Sequence, residues 1–387
     1  MSDDYAFVPS RSSALQKSIL PSACKIIQQA DREHPADSVL RETFKRLRVF
    51  NADETRAISN AVFTYFRWRG FLNGDNDVRA QVEEAFDLDA QFQQDPFSLQ
   101  DELLRAHTVP AWVGGEVESG VEWFRALQRP PNLWLRAKRG RGNALAAKLG
   151  NADPRLLPDA LVYAGAQDLF RTPEFHAGEF ELQDISSQAV GFICGPQPGE
   201  TWWDACSGEG GKLLHLSELM ENKGLIWASD RAEWRLKHLK RRAARAKAFN
   251  YRPALWNGGA KLPTKTKFNG ALVDAPCSGV GTWQHNPHAR WTTTIEDVKE
   301  LGALQKQLLA NAAAAIKPGG KLIYSVCTLT KSETVEVVES FENQIPEFKP
   351  LVVVNPLRPD APASAQIWIW PQDCGGNGMF VAAWKKD

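Results

Sequence analysis

From about residue 199 the chain alternates short apolar runs with helical stretches, and this alternation constrains the fold more than any other feature. Thr201–Ala205 reads as a strand, followed by a glycine-rich turn and helical Lys212–Glu221. Leu225–Ser229 is a second strand ending at Asp230, and a basic helix covers 231–248. Gly270–Asp274 is a further strand and 294–316 a long helix, after which Pro318-Gly-Gly320 leads into the strand Lys321–Val326. Repeated strand–helix units predict an α/β fold, a mostly parallel sheet with helices on both faces, because each parallel connection has to cross back over the sheet. Ligands of such sheets sit beyond the C-terminal strand ends. Asp204, Asp230, Asp274 and Cys327 all fall at such ends.

The first third reads differently. Residues 12–30, 36–49 and 53–72 carry apolar positions at helical spacing, with Gly70 near the end of the last. Arg129-Pro-Pro-Asn132 breaks the pattern, strand-like Leu133–Arg136 follows it, and Asn143–Leu149 reads as a helix. These changes divide the 387 residues into a helical domain (1–128), a small α+β module (129–195) and an α/β domain (196–387).

Composition sets limits on partners and compartment. Lys and Arg number 46 and so do Asp and Glu, so the net charge is zero and any nucleic-acid surface has to be local. No apolar stretch reaches 18 residues, which excludes a membrane-spanning helix. The acidic start Met1-Ser-Asp-Asp-Tyr5 does not read as a secretory signal. Six scattered cysteines, without a C-x-x-C or paired Cys/His spacing, predict neither disulfides nor a metal site. The expectation is a cytoplasmic protein whose individual thiols are free for chemistry.

Three segments carry candidate chemistry. The first, Asp204-Ala-Cys-Ser-Gly-Glu-Gly-Gly-Lys212, lies between a strand and a helix, where glycines let backbone approach a ligand. A phosphate-binding P-loop would need Gly at 206 and Ser or Thr at 213, but Cys206 and Leu213 stand there. Asp230, at the end of the next strand, is placed either to accept from a ribose hydroxyl or to cap the following helix. The second and third, Leu272-Val-Asp-Ala-Pro-Cys-Ser-Gly-Val-Gly281 and Leu322-Ile-Tyr-Ser-Val-Cys-Thr-Leu329, each deliver a cysteine at a strand end, with Asp274 near the first. One such cysteine is more often a small buried hydrophobe than a nucleophile; two, with an acid beside one, are a sharper coincidence.

Asp204–Lys212, Asp274–Gly281 and Tyr324–Thr328, in this order and spacing, resemble the RNA 5-methylcytosine methyltransferases of the Sun/Nop (RsmB-like) type. The similarity extends to Gly178–Ser187, Pro371 and Gly378-Met-Phe380. Residues 12–125 more loosely resemble the NusB-like RNA-binding domain of bacterial members. The resemblance implies a Rossmann-like S-adenosylmethionine-dependent methyltransferase domain behind a helical RNA-binding domain. It implies Cys327 as the thiol that adds to cytosine C6, Cys277 as the thiol that assists release, and Asp274 as a contact to the base. It implies Cys206, Ser207, Gly208, Glu209, Gly210, Gly211, Lys212, Asp230, Asn257 and Asp274 as the cofactor-binding set, with no metal. This chain departs from the family at Glu209, where a proline is usual, and at Asn257, where an acid is usual. Further departures are Lys331, Thr334 and Lys138, while Glu333 matches.

Two basic clusters suit phosphate contacts. Helix 231–248 carries eight Lys/Arg against Glu233, with Ala232, Leu236, Leu239, Ala243 and Ala246 as an apolar stripe that leaves the charges on the outward arc. Arg136-Ala-Lys-Arg-Gly-Arg141 is the second. Either is equally a solvated surface. The leading expectation is methylation of cytosine C5 in RNA, rRNA before tRNA, by a monomer. The alternative from another class is a catalytically silent RNA-binding or ribosome-assembly factor, toward which the altered cofactor loop leans and against which the paired cysteines argue.

Overall fold

The structure is a computed structural model that describes residues 13–47 and 50–387. The acidic N-terminal segment, residue 12 of the first expected helix and residues 48–49 of the second lie outside it. The described residues form two compact units.

The helical unit comprises the described residues up to Ala111 together with Leu127–Arg129 and Asn286–Thr293. Helices Ser13–Gln29, Ala36–Leu47 and Ala52–Trp68 bury Ile26, Leu40, Ile58, Val62 and Phe66 in one core. Asn51 starts the third helix with a reciprocal cap: its side chain accepts from the Asp53 and Glu54 N–H groups while Glu54 accepts from the Asn51 N–H. That helix gives way after Trp68 to a tighter turn, Arg69–Phe71, so it is shorter than 53–72. Gly70 marks the change because a Cβ there would meet the His107 carbonyl oxygen at 1.9 Å. Arg290 is wholly buried and donates to the carbonyls of Arg67, Thr108 and Leu127 at 3.2, 3.1 and 2.9 Å, which ties the segment Asn286–Thr293 into this unit.

The second unit comprises Trp112–Ala126, Pro130–His285 and Thr294–Asp387. Its smaller sheet, of strands β1 (Leu133–Ala137), β2 (Ala152–Pro154), β3 (Ala160–Tyr163) and β4 (Phe180–Leu182), is antiparallel in the order β2-β3-β1-β4. The larger sheet contains β5 (Thr201–Asp204), β6 (Leu225–Asp230), β7 (Tyr251–Leu255), β8 (Phe268–Asp274), β9 (Ile316–Val326), β10 (Phe348–Pro350), β11 (Gln366–Ile369) and β12 (Met379–Lys386). Its order is β10-β12-β9-β8-β5-β6-β7, with β11 on β12. The five strands from β5 to β9 run parallel, as the strand–helix alternation requires. After β5 the chain builds outward to β7, then returns to place β8 and β9 on the other side of β5, so the order reverses between β5 and β8. Such a reversal opens a crevice at the strand ends. The antiparallel edge of β10, β11 and β12 was not part of the sequence expectation.

Strand alternation supplies both faces of the larger sheet. Trp202 packs with Leu214, Ile226 and Leu239, whereas its neighbour Trp203 packs with Trp256, Phe268 and Leu308. No helix among the described residues is long and apolar enough to cross a membrane.

Candidate active site

The five parallel strand ends carry most of the residues singled out from sequence. The β5 loop folds back on β6: the Ser207 N–H and hydroxyl both donate to the Ser229 carbonyl, at 2.8 and 3.1 Å. The Gly208 N–H donates to Asp230 Oδ2 at 3.1 Å, and the Ala232 N–H to Oδ1 at 2.8 Å. Asp230 therefore ties the loop to the turn before the following helix and lies 3.8 Å from Arg235 Nη1, with lone pairs still able to accept from a hydroxyl donor. Gly210 has φ +89° and leads into helix Gly211–Leu219; a Cβ on it would sit 2.9 Å from Leu239 Cγ. By contrast, a Cβ on Gly208 or Gly211 would meet nothing within 4 Å, so the loop faces open space. Asn257, beyond the end of β7, is exposed and accepts from the Gly259 N–H at 3.1 Å. The Glu209 carboxylate, half-exposed, lies 3.5 Å from His238 Nδ1.

Lys212, from the first turn of that helix, reaches across to β8. Its Nζ donates to Asp274 Oδ2 at 2.6 Å, and Asp274 Oδ1 accepts from the Ser325 hydroxyl of β9 at 2.7 Å. Burial alone would lower the Lys212 ammonium, but the Asp274 carboxylate outweighs it and holds the pKa above the ordinary lysine value. Next to this pair stand the two thiols, with Cys277 Sγ 3.3 Å from Cys327 Sγ. The hydrogen bond from the Cys277 thiol lowers the pKa of Cys327 and, with burial, raises that of Cys277. Cys206 is pushed well up by burial and by Asp204, which marks it as an unreactive wall of the loop.

A buried carboxylate sets the thiol spacing. Glu333 is inaccessible to solvent and accepts from the Ser278 N–H (2.8 Å), the Ser278 hydroxyl, Thr328 Oγ1 (3.1 Å), Thr330 Oγ1 (2.8 Å) and Gln305 Nε2 (2.9 Å). It thus ties the residue after Cys277 to the residue after Cys327. The Gly281 N–H donates to the Cys327 carbonyl at 3.1 Å, and a Cβ on Gly281 would collide with the Gly378 carbonyl, so glycine is required there. This contact draws the C-terminal Gly378-Met-Phe380 segment to the same place.

The structure brings Lys212, Asp274, Cys277 and Cys327 together, and Gly208 to Asp230. It leaves Asn257 and the Glu209 carboxylate at the rim. The fully outward arc of basic charge is corrected: Arg242 and Arg245 turn in to Glu181, at 2.9 and 2.5 Å, because that carboxylate is itself buried and needs partners. Asp204 was noted only as a strand end. It is 1 % exposed and neither carboxylate oxygen has a hydrogen-bond partner, so burial, reinforced by Asp274, raises its pKa to about 8. Ser325 lies within the Tyr324–Thr328 motif, but only the fold shows its bond to Asp274; Gln305 carried no sequence signal, since it lies inside a segment read only as helical. No group of His, Cys, Asp and Glu among the described residues is arranged to hold a metal ion.

The profile of the 16S rRNA methyltransferase RsmB/F family matches residues 192–385, the span containing all four clustered residues. The chain belongs to that family. One RsmB/F relative, the probable ribosomal RNA small subunit methyltransferase B of Synechocystis, is 35% identical over 82% of this chain and 73% of its own length. The Bacillus subtilis protein of the same description is 32% identical over 55% of this chain and 49% of its own. Among solved structures, PH0851 superposes over 97% of this chain and 99% of its own with TM-score 0.76 at 23% identity, which shows a shared fold. A methyltransferase homologue from Pyrococcus horikoshii gives TM-score 0.56 at 26% identity over 69% of this chain and 90% of its own.

The RsmB/F assignment implies S-adenosylmethionine, and the residues fit it. The loop at Gly208 and Gly211 opens onto free space, Asp230 closes one side as an acceptor, and the unpartnered oxygens of Asp204 await a donor. The expected α/β methyltransferase architecture and its cofactor therefore stand.

Proposed function

We propose that this protein methylates C5 of cytosine in ribosomal RNA, with Cys327 as nucleophile, Cys277 as the thiol of release and Asp274 as the contact to the base. The observation that carries this reading is the pair of thiols 3.3 Å apart beside the Lys212–Asp274 pair, at the switch point of a parallel sheet. The rRNA preference over tRNA follows the descriptions of the relatives. The helical residues 1–128 are assigned to RNA binding, and 129–195 and 196–387 to a linking module and the catalytic domain.

Cytosine C5 is a weak nucleophile, so the ring has to be activated. The Cys327 thiolate adds to C6, and the C5=C6 π pair shifts onto the ring, leaving C5 electron-rich. The acceptors of Asp274, fixed by Lys212 and Ser325, suit a cytosine amino N–H and disfavour the carbonyl of uracil. S-adenosylmethionine, held by the β5 loop and Asp230, supplies an electrophilic methyl group to C5. Once Cys327 is consumed as a thioether, the negative charge that holds the Cys277 proton is gone and Cys277 releases that proton to solvent. It then takes the C5 proton; the C–H pair re-forms C5=C6 and the S–C6 bond breaks to return the Cys327 thiolate. The new Cys277 thiol then hydrogen-bonds that thiolate as in the resting geometry. The base has to leave its stack to reach this crevice, which costs a few kcal/mol and favours loops and bulges.

The test is transfer of labelled methyl from S-adenosylmethionine to unmodified rRNA and tRNA fractions. Label is expected in rRNA as 5-methylcytosine. Cys327→Ala abolishes it, and Cys277→Ala accumulates a covalent RNA–protein adduct. An adduct that survives in Cys327→Ala and is lost in Cys277→Ala reverses the two roles. Absence of label together with absence of cofactor binding points instead to the silent RNA-binding factor.

A further inference from the structure

The two basic stretches, remote from each other in sequence, line one cleft. A cavity of about 460 Å³ has Lys138 and Arg141 on the turn after β1, Lys148 on helix Gly142–Leu149, and Lys247 at the C-terminus of helix Glu233–Ala246. Its one acidic lining residue is Glu179, which accepts from Lys148 Nζ at 2.7 Å through both oxygens. The walls are fixed to each other. Lys138 Nζ donates to the Ala246 carbonyl at 2.7 Å, and Gly178 packs so tightly that a Cβ on it would lie 2.0 Å from the Arg245 carbonyl oxygen. Nearby acids are already engaged, Glu181 by Arg242 and Arg245, Glu218 by Arg136, and Glu221 by Arg139 and Lys223.

Four cations against one carboxylate leave a local excess of positive charge in a chain whose net charge is zero. Arg141 and Lys247 are exposed and have no acidic partner among the described residues. Concave walls concentrate such a field. No aromatic side chain lines the cleft, so it offers nothing for a base to stack on, and its charge matches a phosphodiester. From Lys247 the exposed Lys240 and Arg241 continue along the helix, whose 14 residues span roughly 21 Å, toward its N-terminal end beside Asp230.

We propose that this cleft binds successive backbone phosphates of the RNA substrate and directs the strand along helix Glu233–Ala246 to the cofactor crevice. The proposal rests on the RNA reading above. The test uses the full chain carrying Arg141→Gln, Lys148→Gln and Lys247→Gln, with a labelled unmodified rRNA fragment titrated over a range of KCl concentrations. The slope of log affinity against log salt is expected to fall by about 2, from roughly 0.7 per lost single-strand contact. The KM for RNA rises at least tenfold, whereas kcat at saturating RNA and S-adenosylmethionine affinity stay as in the wild type. The single variant Arg141→Gln, at an exposed side chain, lowers the slope by about 0.7 and gives the reading if the triple variant misfolds. An unchanged slope in a folded variant overturns the cleft while leaving the RNA reading intact. Failure of the wild type to bind RNA overturns both.

Discussion

The Cys277 thiol and the Cys327 sulfur, 3.3 Å apart, place unequal demands on their protons, and the expected result is a sharp difference in reactivity. Because the hydrogen bond from Cys277 lowers the Cys327 pKa, the Cys327 thiolate persists to lower pH than that of an ordinary cysteine. Alkylation by iodoacetamide, followed by mass spectrometry across pH, is expected to label Cys327 first. In Cys277→Ala the Cys327 profile moves to higher pH, since the donor that favours the thiolate is gone. An unshifted profile removes the thiol–thiol hydrogen bond as the cause. Glu333 makes a separate demand. Its carboxylate satisfies five donors without access to water, and a glutamine offers one acceptor oxygen plus two N–H groups aimed at other donors. Glu333→Gln is expected to cost about 3 kcal/mol, read as a lower midpoint in chemical denaturation. A midpoint within error of the wild type shows that the network does not depend on the charge.

Elements were legible where packing imposes a pattern and opaque where it does not. The parallel strands were readable because both faces are covered, which forces continuous apolar runs such as Ala271–Val273. β7 was missed because it is an edge strand interrupted by Pro253, with half-exposed and exposed residues and no alternation. β12 lies outside the strand–helix alternation, because it pairs antiparallel with β9 without a crossover helix, although Met379–Trp384 is buried throughout. Within the site, cysteines and glycines declare themselves by type. Asp204 and Glu333 become informative only when their burial and partners are known. The β5 turn is the element that sequence and structure describe most alike, and it can be tested as a unit. Gly210 combines φ +89° with a Cβ position 2.9 Å from Leu239 Cγ, so Gly210→Ala strains backbone and packing together. The positive φ alone costs about 1–2 kcal/mol. The loop relaxes by shifting, which calorimetry should report as weaker S-adenosylmethionine binding with a lower melting temperature. Gly208→Ala, facing open space with φ +52°, is expected to keep more of the stability while still obstructing the cofactor. Equal losses of stability in the two variants contradict this distinction.

At the scale of the whole molecule, the buried acid at the end of β5 couples stability to pH. An unfolded chain leaves Asp204 with an ordinary pKa near 3.9, whereas in the fold burial, joined by the Asp274 charge and only partly opposed by Lys212, raises it to about 8. Between these values the unfolded state has released a proton that the folded state still holds. The unfolded state therefore binds fewer protons, and stability falls as pH rises through this window. Below about pH 4 both states are protonated and there is no penalty; above about pH 8 both are ionised and the penalty is constant. Other groups also titrate in this range, so the informative quantity is the difference between wild type and Asp204→Asn, which keeps the shape and removes the proton. That difference is expected to grow in favour of the variant from pH 4 to pH 8, by at most about 1.4 kcal/mol per unit, and then level off. Melting temperatures of the cofactor-free protein at several pH values measure it. A difference that is flat across the window shows that Asp204 is ionised in the fold.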